Sequence, residues 1–443
     1  MRSKEPLPNG WGWVPLEDLT AVPVTYGVVQ PGAHVADGIP MLRVNNFRGF
    51  GLNASDAIRI APAIEAKYTR TRLQANDVLI TVVGSVGQVA IVPPELAGWN
   101  LARAVALVRP RDKAVARWIA LCLRAPSAQH ALGIAANTTV QTTVNLKDLR
   151  TLPIPMPPTA ERVELAAVLS ALDDRIDLLR QTNTTLEAIA RALFKSWFID
   201  FDPVRAKAEG REPEGMDAAT AALFPAEFEE SALGLIPKGW RASTLIDAVD
   251  LNPLRSLSKG SDAPYLEMAN APTLGHRPLE RVRQRAFGSG CKFRNGDALL
   301  AKITPCLENG KSAFIDFLHD GEVGWGSTEF IVMRSKPILP DYCAYLLARH
   351  EPFRQFAIQA MTGTSGRQRV EQSRLSQFPL ALPPDLSIAS AVAPTFGAFQ
   401  SRIAANDEQV KSLADLRDAL LPRLISGKLR LPVAEAQLEA AAA

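Results

Sequence analysis

Three short stretches carry side chains suited to reading polar edges of a ligand. Residues 43–48 (RVNNFR) alternate guanidinium and amide groups around Phe47, and residues 362–369 (TGTSGRQR) set donors in a glycine-loosened loop. Residues 137–145 (NTTVQTTVN) are β-prone and rich in amides and hydroxyls. Guanidinium, carboxamide and hydroxyl groups pair with base edges of duplex DNA, while Lys and Arg neutralise phosphates. On this chemistry the candidates in the first half of the chain are Arg43, Asn45, Asn46, Arg48, Ser85, Thr138, Thr139 and Gln141. In the second half they are Asn270, Lys302, Lys311, Thr364, Ser365, Arg367, Gln368 and Arg369.

Catalytic patterns are sparse by comparison. The chain holds no GxxxxGK[ST] phosphate loop, no GxGxxG fingerprint and no [ND]PP[FYW] tetrapeptide. Asp200 and Asp202 with Lys207 resemble a metal-dependent nuclease cluster, but Pro203 breaks the segment at a helix end. A solvated or partner-contacting role accounts for them better. Cys122, Cys291, Cys306 and Cys343 form no CxxC, and five scattered histidines form no HExxH, which argues against a disulfide framework or a zinc site. The expectation is a chain with no catalytic residues, no metal and no cofactor of its own.

With 443 residues, 47% of them hydrophobic and 21% charged, the chain is too long for one ordinary core, so two or more domains are expected. No apolar run approaches the roughly 18–20 residues of a membrane helix. The opening MRSKEPLPNGWGW lacks the apolar core of a signal peptide, so a cytoplasmic protein is expected. A net charge of +3 does not by itself demand nucleic acid. Arg277, Arg281, Arg283, Arg285, Lys292 and Arg294 cluster locally, yet that run alone also fits a solvated loop.

The elements that must position these groups recur. Residues 77–92 read as two Val- and Ile-rich strands around Gly84-Ser85, followed by a strand at 104–108, a helix at 113–123 and a proline cluster, LPIPMPP, at 152–158. Residues 159–199 then show helical periodicity, with Leu172, Ile176, Leu179, Asn183, Leu186, Ala190, Leu193 and Trp197 alternating spacings of 4 and 3. Pro203 ends this run, and residues 203–236 read as a linker. The pattern then repeats. Trp240 follows Trp11 by 229 residues, and the proline-closed end and the second helix follow theirs by 226 and 227. The second seam runs Phe399, Ile403, Asn406, Val410, Leu413, Arg417, Leu420 and Leu424.

If the two helices pack antiparallel, Asn183 faces Asn406 while Leu179 faces Val410, Ile176 faces Leu413 and Leu186 faces Ile403. A lone buried amide would cost roughly 1–3 kcal/mol, whereas a facing pair satisfies itself and fixes register. The spacing therefore predicts an antiparallel coiled coil built on Leu172, Ile176, Leu179, Asn183, Leu186, Leu193, Phe399, Ile403, Asn406, Val410, Leu413 and Leu420. From Leu172 to Trp197 such a helix spans ~38 Å at ~1.5 Å per residue, close to one DNA turn of about 34–36 Å.

Several long motifs in order now resemble the DNA-specificity subunits of type I restriction–modification systems. They are LPIPMPPTAERVELAAVLSALDDRID (152–177), LEAIARALFKSWFIDFDPVRAK (186–207), ALGLIPKGW (232–240) and LRDALLPRLISGKLRL (416–431), and the likeness covers nearly the whole chain. The resemblance implies an α+β fold with internal pseudo-twofold duplication: target-recognition domains at 1–158 and 237–384, conserved helices at 159–202 and 385–431, and an Ala-rich flexible tail at 432–443. It also implies double-stranded DNA as ligand, two modification subunits docked on the helices, and restriction subunits joined through them. S-adenosylmethionine, ATP and Mg would be used by those partners.

The second helix departs from the first, with Pro394 and Gly397 near its start and Arg417 opposite Leu172. The outer helix faces carry Leu193, Phe194, Trp197 and Phe198, from which poor solubility without partners is expected. Two other readings compete: a methyltransferase or nuclease fused to a recognition domain, and a coiled-coil assembly protein without DNA affinity. Methylation by the purified chain would favour the former, and salt-dependent duplex binding would exclude the latter.

Overall fold

In a computed structural model, residues 6–48, 51–136, 143–364 and 366–431 are described. The chain divides into two compact units, one formed by residues 1–177 with 411–443 and the other by 178–410. Each unit therefore takes one sheet-bearing block and part of both long helices, Thr159–Phe198 and Ser387–Ile425.

The first unit is a mixed structure of strands and helices. A four-stranded sheet places Val105–Val108 between Thr25–Tyr26 and Val78–Thr81, with Val89–Ile91 outermost. Val78–Thr81 and Val105–Val108 are buried at every position, which suits their apolar runs and the helix Ala116–Arg124 packed nearby. Trp118 is fully buried and its indole N–H donates to the Pro155 carbonyl at 2.7 Å. Gly12–Pro15 pairs antiparallel with Pro153–Met156, so the proline cluster closes the block on its own first strand. Trp11 packs at the edge of this core and donates to the Glu161 carboxylate at 3.0 Å. A second sheet orders Ile58–Ile60, Ile39–Leu42 and Asn100–Leu101.

The second unit repeats the plan within its own boundaries. One sheet orders Val249–Leu251, Phe330–Ser335, Asp297–Ala301 and Ser312–Phe314, and another orders Arg283–Ala286, Asp262–Leu266, Gly324–Gly326 and Cys291–Phe293. Arg241–Thr244 closes against Pro379–Leu382, as Gly12–Pro15 does in the first unit. The predicted strand pair at 297–315 forms despite Pro305, because the insertion loops out between its arms.

Residues 203–236 are more ordered than a linker. They hold the helices Asp202–Ala208 and Ala218–Leu223 and a hairpin of Phe228–Ser231 with Gly234–Pro237. Val204, Phe224 and Ile236 enter the second unit's core, and Lys207 donates to the carbonyls of Ala221 and Phe224. Phe194, Trp197 and Phe198 are likewise buried there, so the expected apolar outer face does not exist. Their large rings fill the space around Trp240 and Phe396 instead.

Within the second unit, Asn183 and Asn406 meet. The Asn406 amide donates to Asn183 Oδ1 at 2.8 Å, and Asn183 Nδ2 donates to the Ile403 carbonyl at 3.2 Å and to Asp407 Oδ1 at 2.9 Å. Leu179, Ile403 and Val410 are buried; Leu186, Leu193 and Phe399 are half-buried. Within the first unit, Leu172, Ile176 and Leu420 are buried and Leu413 packs against the core. Arg417, expected opposite Leu172, instead reaches Asp173 at 3.1 Å, where Arg124 also binds at 3.0 Å. Burial lowers the Arg124 guanidinium to about 10, partly offset by Asp173.

Candidate nucleic-acid interface

In the second unit the loop after Asp297–Ala301 and the hairpin of Met361–Thr362 with Arg369–Val370 are stitched together. Val370 N–H donates to the Lys302 carbonyl at 2.8 Å, Thr304 N–H donates to the Gln368 carbonyl at 3.1 Å, and Ile303 bridges Arg369. This backbone ladder brings Lys302, Thr364, Arg367, Gln368 and Arg369 to one place, with Thr364, Arg367 and Arg369 exposed. Gly363 and Gly366, at φ of 121° and 82°, allow the turn that L-residues resist.

Arg369 lies against Glu329, with Nη2 to Oε1 at 2.7 Å. The Arg369 hydrogen bond holds the Glu329 carboxyl below its ordinary range. Such an anchored guanidinium is oriented but partly neutralised, whereas Arg367 and Lys302 form no ion pair among the described residues. The loop therefore presents fixed backbone, free cations and amide donors, the combination that base-edge and phosphate contacts require.

The first unit has the same joint. Val83 bridges Thr143, and Val144 N–H donates to the Val82 carbonyl at 2.9 Å. Beside it opens a cavity of about 510 Å³ whose lining includes Tyr26, Val83, Arg103, Thr143, Lys147 and Arg150. Asn145 caps the helix Leu146–Arg150 by accepting from Lys147 N–H at 3.0 Å, which sets Lys147 at the cavity wall. Arg150 is spent on the Val24 carbonyl, with Nε at 3.1 Å. Sequence reasoning missed Arg103 and Lys147; only the position of Lys147, two residues after NTTVQTTVN, pointed to it.

Other sequence candidates divide by what they touch. Thr138, Thr139, Gln141 and Ser365 lie outside the described residues, as do residues 432–443 and the side chain of Arg48. Asn45 and Ser85 are exposed. Asn46 is a correction: it is fully buried, accepting from Arg43 N–H at 2.7 Å and donating to the Asn53 carbonyl at 2.9 Å and Asp56 Oδ1 at 2.7 Å. It builds its loop from inside, and Arg43 braces the same loop by donating to the Asp56 carbonyl at 3.1 Å. Asn270 similarly clamps Glu280 through both its amide oxygen and nitrogen. Lys311 donates to the Met268 carbonyl at 2.7 Å and the Ala269 carbonyl at 3.3 Å. These four shape the surface rather than present free donors.

Among the described residues no group of three or more His, Cys, Asp or Glu could hold a metal, and no helix is long and apolar enough to cross a membrane. Asp200 pairs with Lys195.

The family described as type I restriction modification DNA specificity domain matches residues 35–188. The EcoBI type I restriction enzyme specificity subunit of Escherichia coli is 30% identical over 198 residues, covering 42% of this chain and 42% of that protein. The match thus spans less than half the length of that relative. The HindI type I specificity subunit of Haemophilus influenzae is 24% identical over 347 residues, covering 65% of this chain and 71% of its own. The crystal structure of a type I restriction–modification S subunit from M. genitalium aligns at 14% identity and a TM-score of 0.48, over 96% of this chain and 98% of that one. Residues 35–188 thus match the type I specificity-domain family, and the chain is similar over longer stretches to type I restriction–modification specificity subunits.

Proposed function

We propose that this chain is the DNA-recognition subunit of a type I restriction–modification complex, with each recognition block reading one half of a bipartite duplex target. The observation that carries the reading is the repeated joint, Val83 with Thr143 and Ile303 with Arg369, at which each block sets basic and amide side chains on a fixed backbone. The chain itself is non-catalytic. Methylation with S-adenosylmethionine, and cleavage with ATP and Mg, belong to two modification subunits and to restriction subunits docked through the helices, in the cytoplasm.

The long helices act as an antiparallel coiled-coil spacer relating the two blocks by a pseudo-twofold. Two contacts support that direction. Asp173 meets Arg417, and ten residues further along the first helix Asn183 meets Asp407, ten residues back along the second. Buried Leu179, Ile403 and Val410 supply the apolar seam. Recognition at two half-sites then follows from two different blocks on one spacer.

The test is single-molecule methylome sequencing of a host expressing this chain with a modification subunit. A split motif with a fixed gap, modified on both strands, supports the proposal. A continuous motif leaves one block without a reading role, and no motif with no duplex binding returns the chain to a scaffold.

A further inference from the structure

The two units treat equivalent sheet faces differently. In the first unit Met41 stands beside Ile58 and Asn100 across three strands. That face is roofed by Pro62–Glu65 and the turn Ala66–Thr71: Ile64 and Tyr68 pack on Met41 and Ile60, while Asn100 donates to the Tyr68 carbonyl at 3.1 Å and accepts from the Thr71 hydroxyl at 2.8 Å. In the second unit the corresponding chain passes from Arg283–Ala286 through Gly288 and Gly290 directly into Cys291–Phe293, with no helix between. The face stays open.

What fills it is cationic and aromatic. Register places Arg283, Tyr265, Trp325 and Lys292 in one row across four strands, and in-register neighbours share a face. Arg285, two residues from Arg283, joins that face with its guanidinium carbon 4.7 Å from the Tyr265 ring centroid and 5.7 Å from that of Trp325. Lys292 Nζ lies 4.9 Å from the Phe287 ring and gives one of its three donors to the Arg255 carbonyl at 3.2 Å, keeping its charge and the other two. Trp325 is locked in turn, donating to the Arg285 carbonyl at 3.1 Å. The opposite face, with Leu266 and Phe293, is core. Among the described residues Arg283, Arg285 and Lys292 form no ion pair.

We infer that this open face is a phosphate-binding strip of the second recognition domain, in which Arg283, Arg285 and Lys292 hold the DNA backbone beside the base-reading loop. The inference rests on the DNA-recognition reading above. Arginine stacked on aromatic rings keeps its charge and outer donors while losing little further freedom on binding. The strip is joined to the loop through the chain: Met268, whose carbonyl receives Lys311 at the end of the segment following Asp297–Ala301, lies three residues beyond Tyr265. The first domain, roofed at this face, has no counterpart and relies on its own loop.

The test measures affinity of the full-length chain for a 30-base-pair duplex of arbitrary sequence across a salt series, together with the methylated motif. Arg283→Ala, Arg285→Ala and Lys292→Ala combined should lower the slope of log affinity against log salt by about 0.9 for each phosphate no longer neutralised, with both half-sites unchanged. Arg285→Lys should restore most of that atom's share, and Arg283→Ala alone, at an exposed edge, guards against misfolding. An unchanged slope while the parent binds duplex overturns the strip and leaves DNA recognition standing. Altered bases in the second half-site overturn the assignment to phosphates. A parent chain without salt-dependent duplex binding defeats the recognition reading itself, and the strip with it.

Discussion

Replacing Asn183 by Leu isolates the most specific contact between the long helices. Asn183 and Asn406 are 8% and 2% exposed, so neither amide has water as an alternative partner. The substitution removes the Oδ1 acceptor 2.8 Å from Asn406 Nδ2 and strands that donor in an apolar seam. A buried donor left unmade costs about 1–3 kcal/mol. Replacing both residues by Leu removes donor and acceptor together and leaves two apolar groups of similar volume, so most of the penalty returns. Urea unfolding of the parent, both single variants and the double variant, followed by far-ultraviolet circular dichroism, gives the coupling. The double variant should be less destabilised than the summed singles by about 1–3 kcal/mol. Additivity within ~0.5 kcal/mol would refute the reasoning, because it would mean that neither amide depends on the other.

Three further outcomes follow from the same geometry. Asp173→Asn removes the carboxylate shared by the buried guanidiniums of Arg124 and Arg417, while Arg417 keeps Asp418, and should destabilise the first unit by about 1.5–3 kcal/mol, read by thermal or urea unfolding. Asp316 is pushed up by burial but held lower still by His276 and Arg277, for a net depression. Its stabilisation is therefore complete above the unfolded carboxyl value of about 3.9 and is lost as pH falls through the lower native value. Asp316→Asn should flatten the acid limb of the stability profile below about pH 4, and an unchanged limb would count against the His276–Arg277 pairing. Arg367→Ala or Gln368→Ala should relax the second half-site about 5- to 150-fold, as for ~1–3 kcal/mol of base discrimination, with the first half-site intact; equal loss at both would argue against separate reading domains.

Much of this organisation was legible because it rests on periodicity. The spacing of Leu172 to Trp197 fixed one face of a helix, and exchanging Leu179/Asn183 for Asn406/Val410 made sense only if the amides met. The strand pairs at 78–91 and 297–314 announced themselves through Val, Ile and Leu runs. Individual contact residues were less legible. Asn46, Asn270 and Lys311 carry side chains that read equally well outward or inward, and only the fold turns them toward Asp56, Glu280 and Met268. The run from Arg277 to Arg294 looked uniform, yet Arg277 is buried against Asp316 and Glu408 while Arg283 and Arg285 lie on an open strand. Strand register, which sequence does not display, separated them. Residues 203–236 misled because Ala, Gly and Pro dominate there, while few large residues, Val204, Phe224 and Ile236, do the packing.

The division of the chain into a continuous second unit and a split first one has a consequence in time. Leu152, Leu165 and Leu169 share a core with Leu420, Leu421, Leu424 and Ile425, which leave the ribosome far later. The intervening stretch of roughly 230 residues takes on the order of 10–50 s at about 5–20 residues per second. During synthesis the second unit has all its residues in hand before the first does. The earlier-made half waits with apolar side chains uncovered, dependent on chaperones or on dilution, until the last helix arrives to close it.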